Sequence, residues 1–337
     1  MLTRRRMLAL TGATASLAAS AAVPFAHAAA PVLRLGILEF GSAAWEIAAM
    51  TALGLDAKAG ATLSVQRFAT NDTGRIAFQA QAVDAIVTDL LWAARVKADG
   101  RDLFYLPFSS AEGAVMVAEG SPIRTVADLA GKRLGVAGGP LDKSWLMLKA
   151  HAQARAGLDL GTAAQPVFAA PPLLAAELSQ GRLDAALLYW TFCARLEPKG
   201  FRPLISVEEV VMSFGVPHEP TLVGYVFDGA FARANPETVN AFARASRATK
   251  AALGAPAPAS DAAWAAARPQ MQAPDDSVFA ALRRGFVSGI PRLPLAEDRA
   301  AAARLYAMLA QLGGASLVGP ATSLPPDLYW TGADDPR

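Results

Sequence analysis

Carboxylate side chains flank several predicted strands of the chain. Glu39 follows the apolar run 32–38, Asp89 ends a second run, Glu112 follows a third, and Glu219 precedes a fourth. Ligands of open α/β sheets bind beyond the carboxyl ends of the strands, so such side chains can meet around one solute. Asp89 fits equally well as the N-cap of the following helix, and Glu112 and Glu219 as partners of surface arginines.

A glycine-rich loop, GVAGGP (135–140), precedes the predicted helix 143–155. It lacks the Gly-x-Gly-x-x-Gly and Gly-Lys-Ser/Thr patterns of nucleotide-binding loops. Backbone N–H groups at the start of a helix are open to a ligand, and small residues before them allow a close approach. We therefore expect Gly138, Gly139, Lys143 and Ser144 to contact a solute, with a plain tight turn as the alternative.

The remaining reactive side chains do not form a catalytic or metal-binding pattern. His151 and His218 are not spaced as zinc ligands with Cys or Glu, no Gly-x-Ser-x-Gly occurs, and Cys193 has no evident base nearby. We predict no enzymatic activity, no cofactor and no metal. The single cysteine also excludes an internal disulfide.

The predicted binding residues combine acids, aromatic rings and small polar groups. They are Glu39, Phe40, Trp45, Asp89, Ser109, Ser110, Glu112, Gly138, Gly139, Lys143, Ser144, Tyr189, Trp190 and Glu219. Lys143 is the single cation in this set, whereas a sulfonate or nitrate site would need more cationic donors. Acids and rings suit a neutral or amine-bearing, planar solute, held by stacking and charge-assisted hydrogen bonds.

Short apolar runs alternate with helical stretches along the whole chain. This pattern is typical of α/β folds, and two runs, 114–118 and 221–227, are placed to carry the chain between two lobes. We predict two lobes, each a mixed sheet flanked by helices, with the ligand cleft between them. Residues 29–115 and 225–337 would form the first lobe and residues 116–224 an inserted second lobe.

The N-terminal segment 1–28 has the features of an export signal. Arg4, Arg5 and Arg6 precede a weakly apolar stretch that ends in Ala26-His27-Ala28, which predicts a twin-arginine signal peptide. The segment holds three arginines and no acid, so its removal changes the formal charge from +2 to −1. A near-neutral body predicts no nucleic-acid partner. Cys193 lies far from the processing site, so we expect a soluble periplasmic protein rather than a lipoprotein.

Five segments of the chain resemble a known family. They are LRLGIL (33–38), AVDAIVTDLLWAARVKADG (82–100), SPIRTVADLAGKRLGVAGG (121–139), LSQGRLDAALLYW (178–190) and ANPETVNAFARASRATKAAL (234–253). In this order they resemble type II periplasmic solute-binding proteins of ABC importers, in the branch of aliphatic-sulfonate, taurine and thiamine-pyrimidine-precursor receptors. The resemblance covers roughly residues 32–255.

The resemblance implies a monomeric receptor with two partners. A small-molecule solute would be captured by hinge closure and delivered to an ABC permease in the inner membrane. Two alternatives stay open: an accessory protein that contacts a periplasmic protein partner, and an enzyme on the same scaffold.

Overall fold

The computed structural model describes residues 31–332, and the predicted signal peptide lies outside them. The strands are β1 (Val32–Leu38), β2 (Thr62–Phe68), β3 (Ala85–Asp89), β4 (Leu103–Ser109), β5 (Gly113–Ala118), β6 (Arg133–Ala137), β7 (Gln165–Ala169), β8 (Ala185–Tyr189), β9 (Phe201–Ser206) and β10 (Val223–Asp228). The helices are α1 (Ala43–Ala52), α2 (Leu55–Ala59), α3 (Asn71–Gln79), α4 (Leu90–Ala98), α5 (Lys143–Ala156), α6 (Leu160–Ala163), α7 (Pro171–Ser179), α8 (Trp190–Leu196), α9 (Val207–Met212), α10 (Gly229–Ala234), α11 (Pro236–Gly254), α12 (Asp261–Met271), α13 (Asp276–Ser288), α14 (Leu295–Gly313) and α15 (Ala315–Val318).

The strands form two five-stranded sheets. The first has the order β2-β1-β3-β10-β4 and the second the order β7-β6-β8-β5-β9. Both are mixed, because β10 runs antiparallel to β3 and β4, and β5 runs antiparallel to β8 and β9. The prediction of an α/β fold with two lobes and mixed sheets is therefore confirmed.

The chain passes from the first sheet to the second between Ser109 and Gly113. It returns between Ser206 and Val223, where β10 completes the first sheet. Two crossings of this kind are what a hinge between lobes needs. The exact lobe boundaries at 115/116 and 224/225 stay a prediction.

The sheet of the first lobe is covered by helices that bury apolar side chains. Leu33, Leu35 and Ile37 of β1 are at most 2% exposed and belong to the same core as Trp45 of α1 and Phe242 of α11. Each such aliphatic side chain contributes about 1.5–3 kcal/mol relative to an exposed one. This burial fixes β1, whose end opens toward the cleft.

Strand β9 and helix α9 were not predicted from the sequence. Pro203 interrupts the alternation of β9, and proline is tolerated there because β9 is an edge strand with a register shift opposite Val115 and Met116. The helix α9 does carry a readable signal: Ser206 and Glu209 form a capping box at its start.

The C-terminal helices of the first lobe also contact the second lobe. α13 packs against α8, and α14 packs against α5. Arg195 of α8 donates to the backbone oxygen atoms of Met271 and Gln272. Within residues 31–332, no helix is both long and apolar enough to cross a membrane.

Candidate functional site

Two adjoining cavities lie between the lobes. The inner chamber, of about 110 Å³, has walls that include Phe40, Asp89, Glu112, Lys143 and Trp190. The vestibule, of about 640 Å³, has walls that include Arg75, Trp92, Gly138, Gly139 and Leu141. Leu38, Phe40, Asn71, Asp142 and Tyr189 line both cavities, so these side chains separate one from the other.

Strand ends position the polar side chains of the inner chamber. Asp89 ends β3, Ser109 ends β4, Tyr189 ends β8, and Glu112 lies in the crossing just before β5. The first sheet thus supplies one wall and the second sheet supplies the opposite wall. This is the arrangement expected for a ligand site at the carboxyl ends of strands in α/β folds.

A hydrogen bond joins the two lobes at the boundary between chamber and vestibule. Asn71 Nδ2 donates to Tyr189 Oη at 3.2 Å. Asn71 is the first residue of α3, and the capping box of Thr70 and Thr73 fixes where that helix starts. Gly138 approaches the same hydroxyl closely, since a Cβ on it would lie 3.1 Å from Tyr189 Oη.

Glu112 and Lys143 form a buried ion pair in the chamber wall. Lys143 Nζ lies 2.5 Å from Glu112 Oε2, and the two side chains are 8% and 4% exposed. The other carboxylate oxygen, Glu112 Oε1, has no hydrogen-bond partner among the residues that the structure describes. Burial raises the pKa of Glu112 to about 7, although the ammonium of Lys143 opposes that rise.

Asp142 occupies the N-terminus of α5. Its Oδ1 accepts hydrogen bonds from the backbone N–H groups of Ser144, at 2.9 Å, and Trp145, at 3.4 Å. The backbone N–H of Ser144, which the sequence left available for a ligand, is therefore already bonded to a carboxylate of the chain. Burial raises the pKa of Asp142, which places a poorly solvated negative charge where an anionic ligand would have bound.

Asp89 has two partners within the lobe. It is the N-cap of α4, accepting from Trp92 N at 2.8 Å, and its other oxygen pairs with the guanidinium of Arg75. Arg75 also lies over the Trp92 ring, 5.2 Å from its centroid, and donates to Thr88 Oγ1. Asp89 therefore has both of the roles considered from the sequence: it is the N-cap of α4, and it also lines the chamber. The expectation that Lys143 is the single cation of the cleft is wrong, since Arg75 and Arg95 both line the vestibule.

The structure brings nine of the predicted binding residues to the two cavities. Those at the chamber or the vestibule are Phe40, Asp89, Ser109, Glu112, Gly138, Gly139, Lys143, Tyr189 and Trp190. Those that line neither cavity are Glu39, Trp45, Ser110, Ser144 and Glu219.

Two of the outlying residues lie directly behind the chamber wall. Trp45 is 1% exposed and packs edge-on against the Trp190 ring, with centroids 5.5 Å apart. Ser144 is also buried, and its backbone N–H donates to Asp142. Both residues support side chains of the wall instead of contacting the cavity. Glu39, by contrast, is exposed to solvent at the end of β1.

Sequence reasoning missed several residues of the site, above all Asn71, Arg75 and Asp142. Asp142 had a signal, because Asp before a predicted helix is a strong N-cap residue. Asn71 and Arg75 carried no such sequence signal. The packing of the two lobes decides which face of α3 lies toward the second lobe, and this packing cannot be predicted from the sequence. Phe108 and Thr191 also line the chamber and likewise carry no distinctive sequence pattern.

Glu219 lies beside the site in the return crossing and is partly buried. Burial, together with the smaller effects of the nearby Glu112 and Glu208, raises its pKa to about 8. The folded protein therefore retains a proton that the unfolded chain loses near the ordinary value of 4.5. The contribution of Glu219 to stability is therefore complete below about pH 4.5, and it is lost as the pH rises through the pKa of about 8 in the folded protein.

We expect Glu219→Gln to remove this loss of stability. The melting temperature of the variant should exceed that of the wild type by an amount that grows from about pH 5 to about pH 8. Thermal melts across this range measure the effect, with exposed Glu119 replaced by Gln as the matched control. A difference between E219Q and wild type that does not change with pH would contradict the assignment.

The remaining reactive groups lie away from the chamber. Burial raises the pKa of the Cys193 thiol to about 12, so the thiolate is scarce at neutral pH. His151 Nδ1 is 2.8 Å from Ser213 Oγ, between α5 and the end of α9. Residues 31–332 contain no group of three His, Cys, Asp or Glu side chains placed to hold a metal ion.

Known proteins share this architecture. Residues 107–259 match the family described as NMT1/THI5 like. The alkanesulfonate-binding protein SsuA from Xanthomonas axonopodis pv. citri, bound to MOPS, has a similar structure, with a TM-score of 0.69, 19% identity, and coverage of 90% of this chain and 99% of that chain. The periplasmic aliphatic sulphonate binding protein SsuA from Escherichia coli is similar at a TM-score of 0.65, with 22% identity and coverage of 89% of this chain and 97% of that chain.

A third structure extends the range of similar folds. The periplasmic nitrate-binding protein NrtA from Synechocystis PCC 6803 has a TM-score of 0.56, 12% identity, and coverage of 74% of this chain and 69% of that chain. No curated protein matches the chain significantly. The resemblance seen in the sequence is confirmed: the chain has the two-lobed fold of the periplasmic binding proteins, and its residues 107–259 match the NMT1/THI5-like family.

Proposed function

We propose that the protein is the periplasmic substrate-binding component of an ABC importer. It captures a small organic solute between its lobes and delivers it to a permease in the inner membrane. The observation that carries this proposal is a chamber enclosed by strand ends of both lobes, with two chain crossings beside it. Binding sites in two-lobed proteins favour such clefts. Export by a twin-arginine signal belongs to the same proposal.

The solute is neutral or amine-bearing rather than a simple anion. Asp142 fills the helix end that could otherwise bind an anion, and Asp89 and Glu112 add two further carboxylates to the wall. Lys143 and Arg75 are already paired with Glu112 and Asp89. We therefore do not propose a sulfonate or nitrate, the ligands named for the similar proteins, as the solute of this chamber.

Two contacts between the lobes support capture by hinge closure. The Asn71–Tyr189 hydrogen bond and the Trp45–Trp190 ring contact both join residues of opposite lobes. Rotation about the two crossings would break both contacts and open the chamber to the vestibule. A solute shifts this equilibrium only by as much as it binds the closed form better than the open form.

A screen of small solutes tests this function. The mature protein would be melted with amines, pyrimidines, sulfonates and amino acids. Its tryptophan fluorescence would be recorded as well, since Trp190 lines the chamber and Trp92 lines the vestibule. A bound solute raises the melting temperature by an amount that grows with its excess over the Kd. Stable copurification with a protein other than a permease, with no response to any of these solutes, would instead favour the accessory role.

We expect Asn71→Ala to weaken solute binding about fivefold, the effect of losing one hydrogen bond that exists only when the lobes meet. Stability should change little, because the side chain bonds across the cleft and not within its lobe. Calorimetry with a ligand found in the screen measures the change. Gln79→Ala, on the same helix and also in the vestibule wall, is the control that should keep wild-type affinity. Equal Kd values for N71A and wild type would show that this bond plays no part in closure.

A further inference from the structure

We propose that the solute carries a protonated amine and that this amine binds Glu112 through the carboxylate oxygen that Lys143 does not contact. The inference rests on the proposed function, since it names the group that the chamber recognises. Its starting point is Oε1 of Glu112, which has no hydrogen-bond partner among the described residues while Oε2 lies 2.5 Å from Lys143 Nζ.

An unpartnered carboxylate oxygen inside a protein is costly, because it has lost water without gaining a donor. Glu112 lines the inner chamber and its side chain is 4% exposed, so solvent cannot supply that donor. The terminal torsion of a glutamate is soft, so a small rotation can turn Oε1 toward a group in the chamber. An ammonium group satisfies the oxygen with a charge-assisted hydrogen bond.

The charge of the chamber selects the same class of ligand. Asp89, Asp142 and Glu112 line the chamber with three carboxylates, against the ammonium of Lys143 and the guanidinium of Arg75, which pairs with Asp89 from the vestibule side. With all five ionised, this group carries one net negative charge. A monocation neutralises it, whereas an anion would add a second negative charge in a poorly solvated space.

A proton competes with the amine for the same carboxylate. Glu112 faces Lys143 and Asp142 at the start of α5, Asp89 at the end of β3, Glu219 in the return crossing and Tyr105 of β4. Its raised pKa, about 7, means that near neutral pH about half of the empty protein holds a proton there. A bound ammonium favours the carboxylate, so binding releases that proton and affinity rises with pH.

Primary alkylamines of increasing length test the inference, each matched with the alcohol and the alkanesulfonate of equal length. Melting temperature and tryptophan fluorescence would be recorded in phosphate buffer at about pH 6 and about pH 8. We expect amines to bind at least tenfold more tightly than their matched alcohols and sulfonates. For a group of pKa about 7, amine affinity should rise about tenfold between these two pH values.

Glu112→Gln should reduce amine affinity at least tenfold and abolish its pH dependence. Glu219→Gln, outside both cavities, should keep most of that dependence. If E112Q folds poorly because Lys143 loses its partner, the double variant Glu112→Gln/Lys143→Met removes both charges, and it should also lose amine affinity and pH dependence.

Three results would overturn the inference: no amine changes either signal, alcohols or sulfonates bind as tightly as amines, or affinity in the wild type does not rise with pH. Tight binding of a sulfonate or an alcohol would refute the role of Glu112 and leave solute capture intact. The wider solute screen decides separately whether the chamber binds small molecules at all.

Discussion

Replacing Trp190 with alanine is expected to remove measurable solute binding and to lower the free energy of unfolding by about 3 kcal/mol. Trp190 begins α8 and forms part of the chamber wall. Its ring packs edge-on against Trp45 and lies so close to α13 that a Cβ on Gly285 would be 2.6 Å from the ring. The indole therefore joins the second lobe to two helices of the first lobe. Its loss leaves a void at the place where the lobes meet.

Two measurements separate the effects on binding and on stability. Urea unfolding gives the change in the free energy of unfolding, and calorimetry with a ligand from the screen gives the Kd. Trp190→Phe keeps an aromatic ring in the chamber wall, so this variant should retain most of the stability and most of the affinity of the wild type. Trp264→Phe, in the buried core of the first lobe, should reduce stability without changing the Kd. Wild-type affinity in W190A would exclude Trp190 from the site.

The sequence predicts the scaffold well because its signals are local. Alternation of apolar residues marks β1 and β2, and Asp89 marks the start of α4 as its N-cap. Strand β9 is not predicted from the sequence, because Pro203 interrupts the alternation of apolar and polar residues that is expected of a strand.

The site is predicted less completely because it depends on which groups pair in three dimensions. The sequence predicts that Asp89, Glu112 and Lys143 lie at the cleft, where all three line the chamber. It cannot show that Lys143 is paired with Glu112 and Asp89 with Arg75. The role of Asn71 is invisible for a similar reason, since its partner Tyr189 lies 118 residues away on the other lobe. The ends of the strands can be predicted from the sequence. Which charged side chains pair at those ends can be known only from the three-dimensional structure.

Gly113→Ala is expected to disrupt the second sheet. Gly113 is the first residue of β5, in register with Tyr189 of β8, and a Cβ on it would lie 1.7 Å from the carbonyl oxygen of Leu188. The obstacle is backbone, so no side-chain rotation relieves the clash. β8 must move away from β5 in the interior of the sheet. We expect a loss of about 3 kcal/mol or more, the upper range for overpacking.

The same substitution should also impair binding, because the two strands that it separates are neighbours in the second sheet and position side chains of the same chamber wall. Glu112 precedes β5 and Tyr189 ends β8, so moving β8 away from β5 displaces the tyrosine hydroxyl from Asn71 and changes its distance from Glu112. Gly120→Ala is the matched control, because a Cβ there meets nothing within 4 Å. Urea unfolding of both variants measures the difference. Equal stability of G113A and G120A would mean that β5 and β8 do not pack as closely as the structure shows. In that case the strand ends would not fix the distance between Glu112 and Tyr189 on which a tight chamber depends.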